Sequence, residues 1–265
     1  MTPIPTVLIL GCGFTGSRVA RRLREEGVAV TAIRRAQIDF TAAEALGQLA
    51  AITAEGCVVL HSVPSLVGAA DARLLTALEG KASRVVYLST TGVYGDAEVV
   101  DETTPAMPRT PREQARVDTE NAVARGPWES LILRPAAIYG PGRGVHVSMS
   151  EGRYALMGDG TNYISRIHVE DLAGIAYAAL FAPLTGAYPV ADLLPCPSRE
   201  IAQYCSEQYG WPMPASVTAA EVPETRRTNR RVDGRAICER LGVRLSYPTY
   251  REGIAQAIAE LERTK

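Results

Sequence analysis

The glycine sequence Gly11-Cys12-Gly13-Phe14-Thr15-Gly16 directly follows the apolar run Val7-Leu8-Ile9-Leu10 and opens onto residues 17–23, a helix-like stretch that stops at Gly27. That order predicts a strand, a glycine turn and a helix. The first glycine permits the tight turn, the second lets the backbone approach a pyrophosphate, and the third lets helix and strand pack closely. Such a helix presents unpaired amides and the positive end of its dipole to the diphosphate. A second strand candidate, residues 28–33, follows Gly27 and completes the opening of a strand–helix–strand unit. In that context the hexapeptide predicts dinucleotide binding through Gly11, Gly13, Phe14, Thr15 and Gly16.

The residues after the second strand bear on which dinucleotide. An NAD-preferring chain usually carries an acidic side chain there, about twenty residues past the glycines, on the ribose 2′-hydroxyl. This chain has Arg34-Arg35. Two guanidiniums offer planar forks of donors to a 2′-phosphate, which a carboxylate would repel. NADP is therefore the expected coenzyme. NAD stays open because Asp39 follows shortly after, placed here near the adenine.

A chain of 265 residues, 46% of them hydrophobic, can bury a full α/β core and carry a second, smaller lobe. Its formal charge of −1 supplies no long-range field for nucleic acid or an anionic membrane. The first apolar run is the first strand rather than a signal peptide, and no run approaches a membrane span, so a cytoplasmic protein is expected. Five cysteines without paired metal spacing are expected as reduced thiols, and no metal is expected.

Further along, residues 42–51 read as a short helix and 57–60 as a buried strand ending at His61-Ser62-Val63-Pro64. Ligands of a doubly wound sheet lie outside the carboxyl ends of its strands, which places Ser62, Val63 and Pro64 beside the adenine ribose. A helix over 69–78 leads to a strand at 84–88, and then to Ser89-Thr90-Thr91-Gly92-Val93-Tyr94-Gly95, whose hydroxyls could hold a substrate carbonyl. Residues 113–124 read as a helix and 130–135 as a strand, with Pro135 and Ala136 at the coenzyme and residues 136–142 turning out of the sheet. Residues 165–172 open a helix running to Leu180, and 186–190 form a last strand. Helices are expected at 198–209 and 250–261.

Four segments in this order resemble the extended and atypical short-chain dehydrogenase/reductases, the group that includes nucleotide-sugar epimerases and dehydratases. They are the glycine turn, Tyr87 to Gly95, Leu133-Arg134-Pro135 with Ile138-Tyr139-Gly140-Pro141-Gly142, and Arg166 to Leu172. The resemblance implies a Rossmann doubly wound parallel sheet over 1–190, with 141–165 contributing to a smaller substrate lobe formed by 191–265. It makes Thr90 the counterpart of the family's catalytic hydroxyl, with Thr91 nearby for substrate. By analogy alone, a homodimer is the assembly to look for.

The family's Tyr-x-x-x-Lys motif is missing: Arg112 occupies the tyrosine's place and Arg116 the lysine's. Arginine stays protonated in proteins, so it cannot perform the phenol's proton transfer. Arg116 can still hydrogen-bond the nicotinamide ribose, and Arg112 can bind an anionic group or carry a developing oxyanion. Tyr94, Tyr139 and His146 are the candidate replacements for the proton donor, and Tyr139 is also a candidate substrate contact. Arg166 and the cluster Arg226, Arg227, Arg230 and Arg231 are candidates for a substrate phosphate or carboxylate, since the family uses arginines in these regions. Two functions stay open: an NADP-dependent oxidoreductase or epimerase acting on a carbonyl or hydroxyl substrate, with nucleotide sugars as one class, and an inactive NAD(P)-binding sensor or regulatory protein.

Overall fold

Val7 to Leu10 are buried on both faces of their strand, as a central parallel strand requires. The structure, a computed structural model, describes residues 5–64, 70–223 and 226–263. The first half runs β1 (Val7–Leu10), α1 (Gly16–Glu25), β2 (Val30–Ile33), α2 (Ala45–Ile52), β3 (Cys57–His61), α3 (Ala70–Thr76), β4 (Ala82–Leu88), β5 (Val99–Val100) and α4 (Pro111–Arg125). It continues with β6 (Glu129–Pro135), β7 (Ala137–Tyr139), α5 (Val145–Ser150), β8 (Leu156–Met157), β9 (Tyr163–Ile164), β10 (Arg166–His168), α6 (Val169–Phe181) and β11 (Gly186–Val190). The last part comprises β12 (Cys196–Pro197), α7 (Ser198–Tyr209), β13 (Ser216–Val217), β14 (Arg231–Val232), α8 (Arg235–Leu241) and α9 (Tyr250–Arg263).

Six strands form one wholly parallel sheet in the order β2-β1-β3-β4-β6-β11. Alternate residues of each strand serve opposite faces. Val7, Ile9, Leu60 and Val86 meet Leu23 of α1 and Ile175 of α6 on one face. Leu8, Leu10, Val59 and Val85 meet Leu49 of α2 and Val123 of α4 on the other. This is a doubly wound α/β sheet of Rossmann type. The winding reverses between β1 and β3, so a ligand crevice opens at the carboxyl ends of those two strands.

A separate, smaller apolar cluster joins Tyr139, Met149 and Leu156 to Ile201 of α7 and Tyr250 and Ile254 of α9. Ile237 of α8 instead belongs to the core of the main sheet. The α4 start is fixed by a capping box: the Glu113 amide donates to Thr110 Oγ1 at 3.2 Å and the Thr110 amide donates to the Glu113 carboxylate at 3.1 Å, with Pro111 in the first turn.

Two local expectations change. Arg166 to His168 do not open a helix: they pair as β10 with β7, and α6 begins only at Val169, capped by His168 Nδ1, which accepts from the Glu170 amide at 3.4 Å. His146, expected from the glycine-rich segment Gly142 to His146 to be mobile, is instead carried into the interior by α5. The expected start of the third helix at Ala69 lies outside the described residues, and α3 follows from Ala70. Among the described residues no helix is long and apolar enough to cross a membrane, and no group of three His, Cys, Asp or Glu side chains could hold a metal.

Candidate functional site

The three glycines of the turn are needed for three different reasons. Gly11 has φ +88°, and a Cβ there would come within 2.8 Å of the Ser62 backbone at the end of β3. At Gly16 a Cβ would meet the Gly11 carbonyl at 2.6 Å and Ile9 at 3.2 Å, which is the close packing of helix on strand. A Cβ on Gly13 would meet only the Gly11 carbonyl, at 4.0 Å, so its open side is the space where a diphosphate would lie. Among the described residues, no hydrogen bond engages the amides of Phe14, Thr15 and Gly16, and no acidic residue stands in the first turn of α1. The residues present therefore fit the diphosphate of a dinucleotide at a helix N-terminus.

This turn floors a cavity of about 810 Å³ at the carboxyl edge of the sheet. Gly11, Gly13, Phe14 and Thr15 line it from the glycine turn, Arg34 and Arg35 from the end of β2, and Ser62 and Pro64 from the end of β3. Arg116 of α4 and Pro135 at the end of β6 complete the predicted residues that reach it. Val63 and Ala136 are buried beside it without lining it. Asp39 also lies outside the lining, and its carboxylate accepts from the Thr41 amide at 3.0 Å and the Thr41 hydroxyl at 2.7 Å. Those bonds, the hydroxyl's first, hold its pKa below the usual carboxylate value.

The predicted chemical residues fall elsewhere. Arg112 is exposed at the start of α4, whereas Arg116, one turn later, reaches the cavity and donates to the Tyr87 hydroxyl at 2.7 Å. Thr90 Oγ1 accepts from the Gly92 amide at 3.1 Å, which caps the short 3₁₀ turn Thr91–Tyr94. The neighbouring Ser89 does line the cavity, and its buried hydroxyl has no partner among the described residues. Tyr94 is buried beneath Arg134, whose guanidinium lies 5.0 Å from the ring centroid, and burial pushes its phenol pKa up. Tyr139 turns away to donate to the Thr249 carbonyl at 3.3 Å, and burial raises its pKa as well. His146 is buried, which drives its pKa down to about 4.

The arginines expected to meet a substrate anion serve main-chain carbonyls and rings instead. Arg166 is buried and donates to the Ile164 carbonyl at 2.8 Å and to Cys196 Sγ at 3.3 Å. Arg230 ties down the 90s loop through the carbonyls of Thr91, Gly95 and Ala97. Arg231 stacks on Tyr163, 3.6 Å from the ring centroid. Arg226 and Arg227 donate to carbonyls at Ala155 and at Val222 and Ala220. Conversely, the cavity includes Arg18, Ile138 and Arg143, to which the sequence alone assigned no binding role. Arg18 sits one helical turn after Phe14, a spacing that could have drawn attention to it.

Residues 7–190 match the model of the NAD dependent epimerase/dehydratase family. The chain belongs to that family. Among its relatives is Protein YeeZ of Escherichia coli K12, 30% identical over 183 residues that make up 65% of this chain and 62% of the other. A 3-diazoavenalumate denitrifying reductase from Streptomyces sp. is 28% identical over 171 residues, 59% of this chain and 56% of that one. The chain thus spans about three fifths of the length of these curated relatives. A functionally unknown conserved protein from Silicibacter pomeroyi DSS superposes with a TM-score of 0.77 at 31% identity, covering 97% of this chain and 99% of that one. As an epimerase/dehydratase family member the protein carries the family's nicotinamide-coenzyme fold.

Proposed function

We propose that the protein is an NADP-dependent oxidoreductase that acts on a small carbonyl or hydroxyl substrate with a non-standard proton donor. The observation that carries the coenzyme choice is the pair Arg34 and Arg35 on the wall of the glycine-turn cavity, in a lining that includes no carboxylate among the described residues. Neither guanidinium has a salt bridge among the described residues, so both are free to take the adenosine 2′-phosphate. The glycine turn would hold the diphosphate, and Arg116 would hold the nicotinamide ribose or a developing oxyanion. A bound nicotinamide supplies or accepts the hydride. Ser89, with its unpartnered hydroxyl, would hydrogen-bond the substrate oxygen, and water would supply the proton.

Engagement of Arg166, Arg230 and Arg231 with carbonyls, sulfur and a tyrosine ring favours a small carbonyl compound over a nucleotide sugar, whose own diphosphate would need free cations. The reductase among the relatives supports the same choice.

A non-catalytic coenzyme sensor is the second reading, favoured by one observation: no tyrosine, histidine, lysine or carboxylate lines the cavity among the described residues. The test is NADPH oxidation, followed by absorbance, across small aldehydes, ketones and nucleotide sugars. Turnover establishes the enzyme, and tight coenzyme binding without turnover establishes the sensor. Replacing Arg34→Ala together with Arg35→Ala is expected to weaken NADPH binding by about a hundredfold while changing NADH binding little, since two charge-assisted contacts are lost. Equal losses would refute the 2′-phosphate role.

A further inference from the structure

We propose that Arg143 is an additional coenzyme-binding residue, whose guanidinium closes on the diphosphate over the face of Phe14; this rests on the cavity being the dinucleotide site. After β7 the chain makes a tight loop in which the Gly140 amide donates to the Arg143 carbonyl at 2.9 Å and the Arg143 amide donates back to the Gly140 carbonyl at 3.0 Å. Gly142 and Gly144 on either side of Arg143 have φ of +74° and +134°, and a Cβ at Gly144 would meet Tyr139 at 2.9 Å. The loop backbone is therefore fixed, and it delivers an exposed side chain to the cavity wall.

That side chain lies over Phe14, 5.3 Å from its ring centroid, and Arg18 lies 4.4 Å from the same centroid. Phe14 belongs to the run Phe14-Thr15-Gly16 whose amides await an anion, so both guanidiniums stand beside that cradle. Their charges are not equivalent. Arg18 donates to Glu170 at 2.7 Å and to the Phe14 carbonyl at 2.7 Å, so two of its donors are engaged and part of its charge is offset by a carboxylate that Arg21 shares. Arg143 has no carboxylate partner among the described residues. A guanidinium stacked on a ring keeps its charge and its in-plane fork of donors, which matches two phosphate oxygens.

The remaining cations of the cavity are already placed. Arg34 and Arg35 stand at the end of β2, and Arg116 is held by Tyr87. Arg143 is thus the lining arginine left to balance the diphosphate charge that backbone amides alone would share with water.

The test uses the full chain and its variants Arg143→Ala and Arg143→Lys, titrated calorimetrically with NADPH, NADH and ADP-ribose, and by competition against NADPH with adenosine 2′-monophosphate. Arg143→Ala is expected to weaken the three diphosphate ligands by about tenfold, the size of one charge-assisted contact at a partly exposed site. It should leave adenosine 2′-monophosphate within about twofold, with Arg143→Lys intermediate because it keeps charge without the fork. Undiminished ADP-ribose affinity in Arg143→Ala overturns the assignment, and so does an equal loss for adenosine 2′-monophosphate, which would mark a field acting on the whole cavity. Wild-type protein that binds neither NADPH nor NADH overturns the dinucleotide reading of the cavity itself, and Arg143's role with it.

Discussion

Arg116 Nη1 donates to the Tyr87 hydroxyl across 2.7 Å, so this arginine is held at the cavity by a phenol, a neutral partner. A carboxylate there would cancel the charge, whereas the phenol orients it and leaves it available. The Tyr87 ring in turn packs on His61, with centroids 4.7 Å apart, and burial followed by the nearby Arg116 charge holds that imidazole's pKa down to about 3. The imidazole is thus neutral at physiological pH and adds no positive charge beneath Arg116.

Tyr87→Phe keeps the ring contact and removes the hydroxyl that accepts from Arg116. It is expected to weaken NADPH binding by about threefold to tenfold and to cost about 1 kcal/mol of stability, the net worth of one hydrogen bond. Fluorescence titration and urea unfolding measure the two quantities. Full NADPH affinity in the variant would show that Arg116 finds its place without the phenol.

Glu120 and Arg134 form a buried, two-pronged ion pair, with Nε 3.1 and 3.2 Å from the two carboxylate oxygens and Nη2 2.7 Å from one of them. The side chains are only 4% and 11% exposed, so neither charge can recover its hydration if the other is lost. Glu120→Gln is expected to destabilise the protein by about 3 to 5 kcal/mol, the range for breaking a buried pair from one side. Chemical denaturation measures it, and a loss below 1 kcal/mol would contradict the account.

Asp192 follows β11 and is almost wholly buried, with one oxygen accepting from the Leu194 amide at 3.2 Å and the other without a partner among the described residues. Burial raises its pKa from 3.8 to about 7, against the opposing pull of Arg166 and with Asp171 and Glu252 adding to the rise. Between those values the folded state holds a proton that the unfolded chain has released, so this group's contribution to stability falls as pH rises and levels off above pH 7. Asp192→Asn removes that slope. The variant is expected to gain about 2 to 3 kcal/mol on the wild type between pH 5 and pH 8, at about 1.4 kcal/mol per pH unit. Parallel stability curves for the two proteins over that interval would show that Asp192 titrates normally.

The sheet was legible because its strands are short apolar runs covered on both faces: Val7–Leu10 and Cys57–His61 announce themselves, and α7 at Ser198–Tyr209 has the bounds expected of it. The pair β7 and β10 was not, since each is three residues long and pairs with a partner nearly thirty residues away; the helical pattern of α6 simply extended backwards over Arg166 to His168. Much of the cavity wall could be read from strand ends, because a doubly wound sheet gathers them at one edge. Arg143 could not, because its meaning depends on Phe14, which only the fold brings near. The arginines of the last third misled for a related reason: sequence shows clustered charge but not the carbonyls of Thr91, Gly95 and Ala97 that Arg230 meets.

The glycines of the turn separate folding from binding. Gly13→Ala places a methyl group where no protein atom outside its adjoining residues lies closer than 4.0 Å, on the open side of the cradle, so the fold should tolerate it to within about 1 kcal/mol. The same methyl would occupy the space of the diphosphate and hold it off the amides of Phe14, Thr15 and Gly16, so NADPH affinity should fall by about a hundredfold or more. Gly16→Ala does the opposite at first hand: its methyl collides with the Gly11 carbonyl at 2.6 Å and with Ile9 at 3.2 Å, forcing α1 away from β1, and the cost should appear as about 2 kcal/mol or more of stability. Thermal or urea unfolding in parallel with NADPH titration distinguishes the two variants. If Gly13→Ala bound the coenzyme as tightly as the wild type, the open side of that glycine would not face a diphosphate, and the cradle would need another ligand.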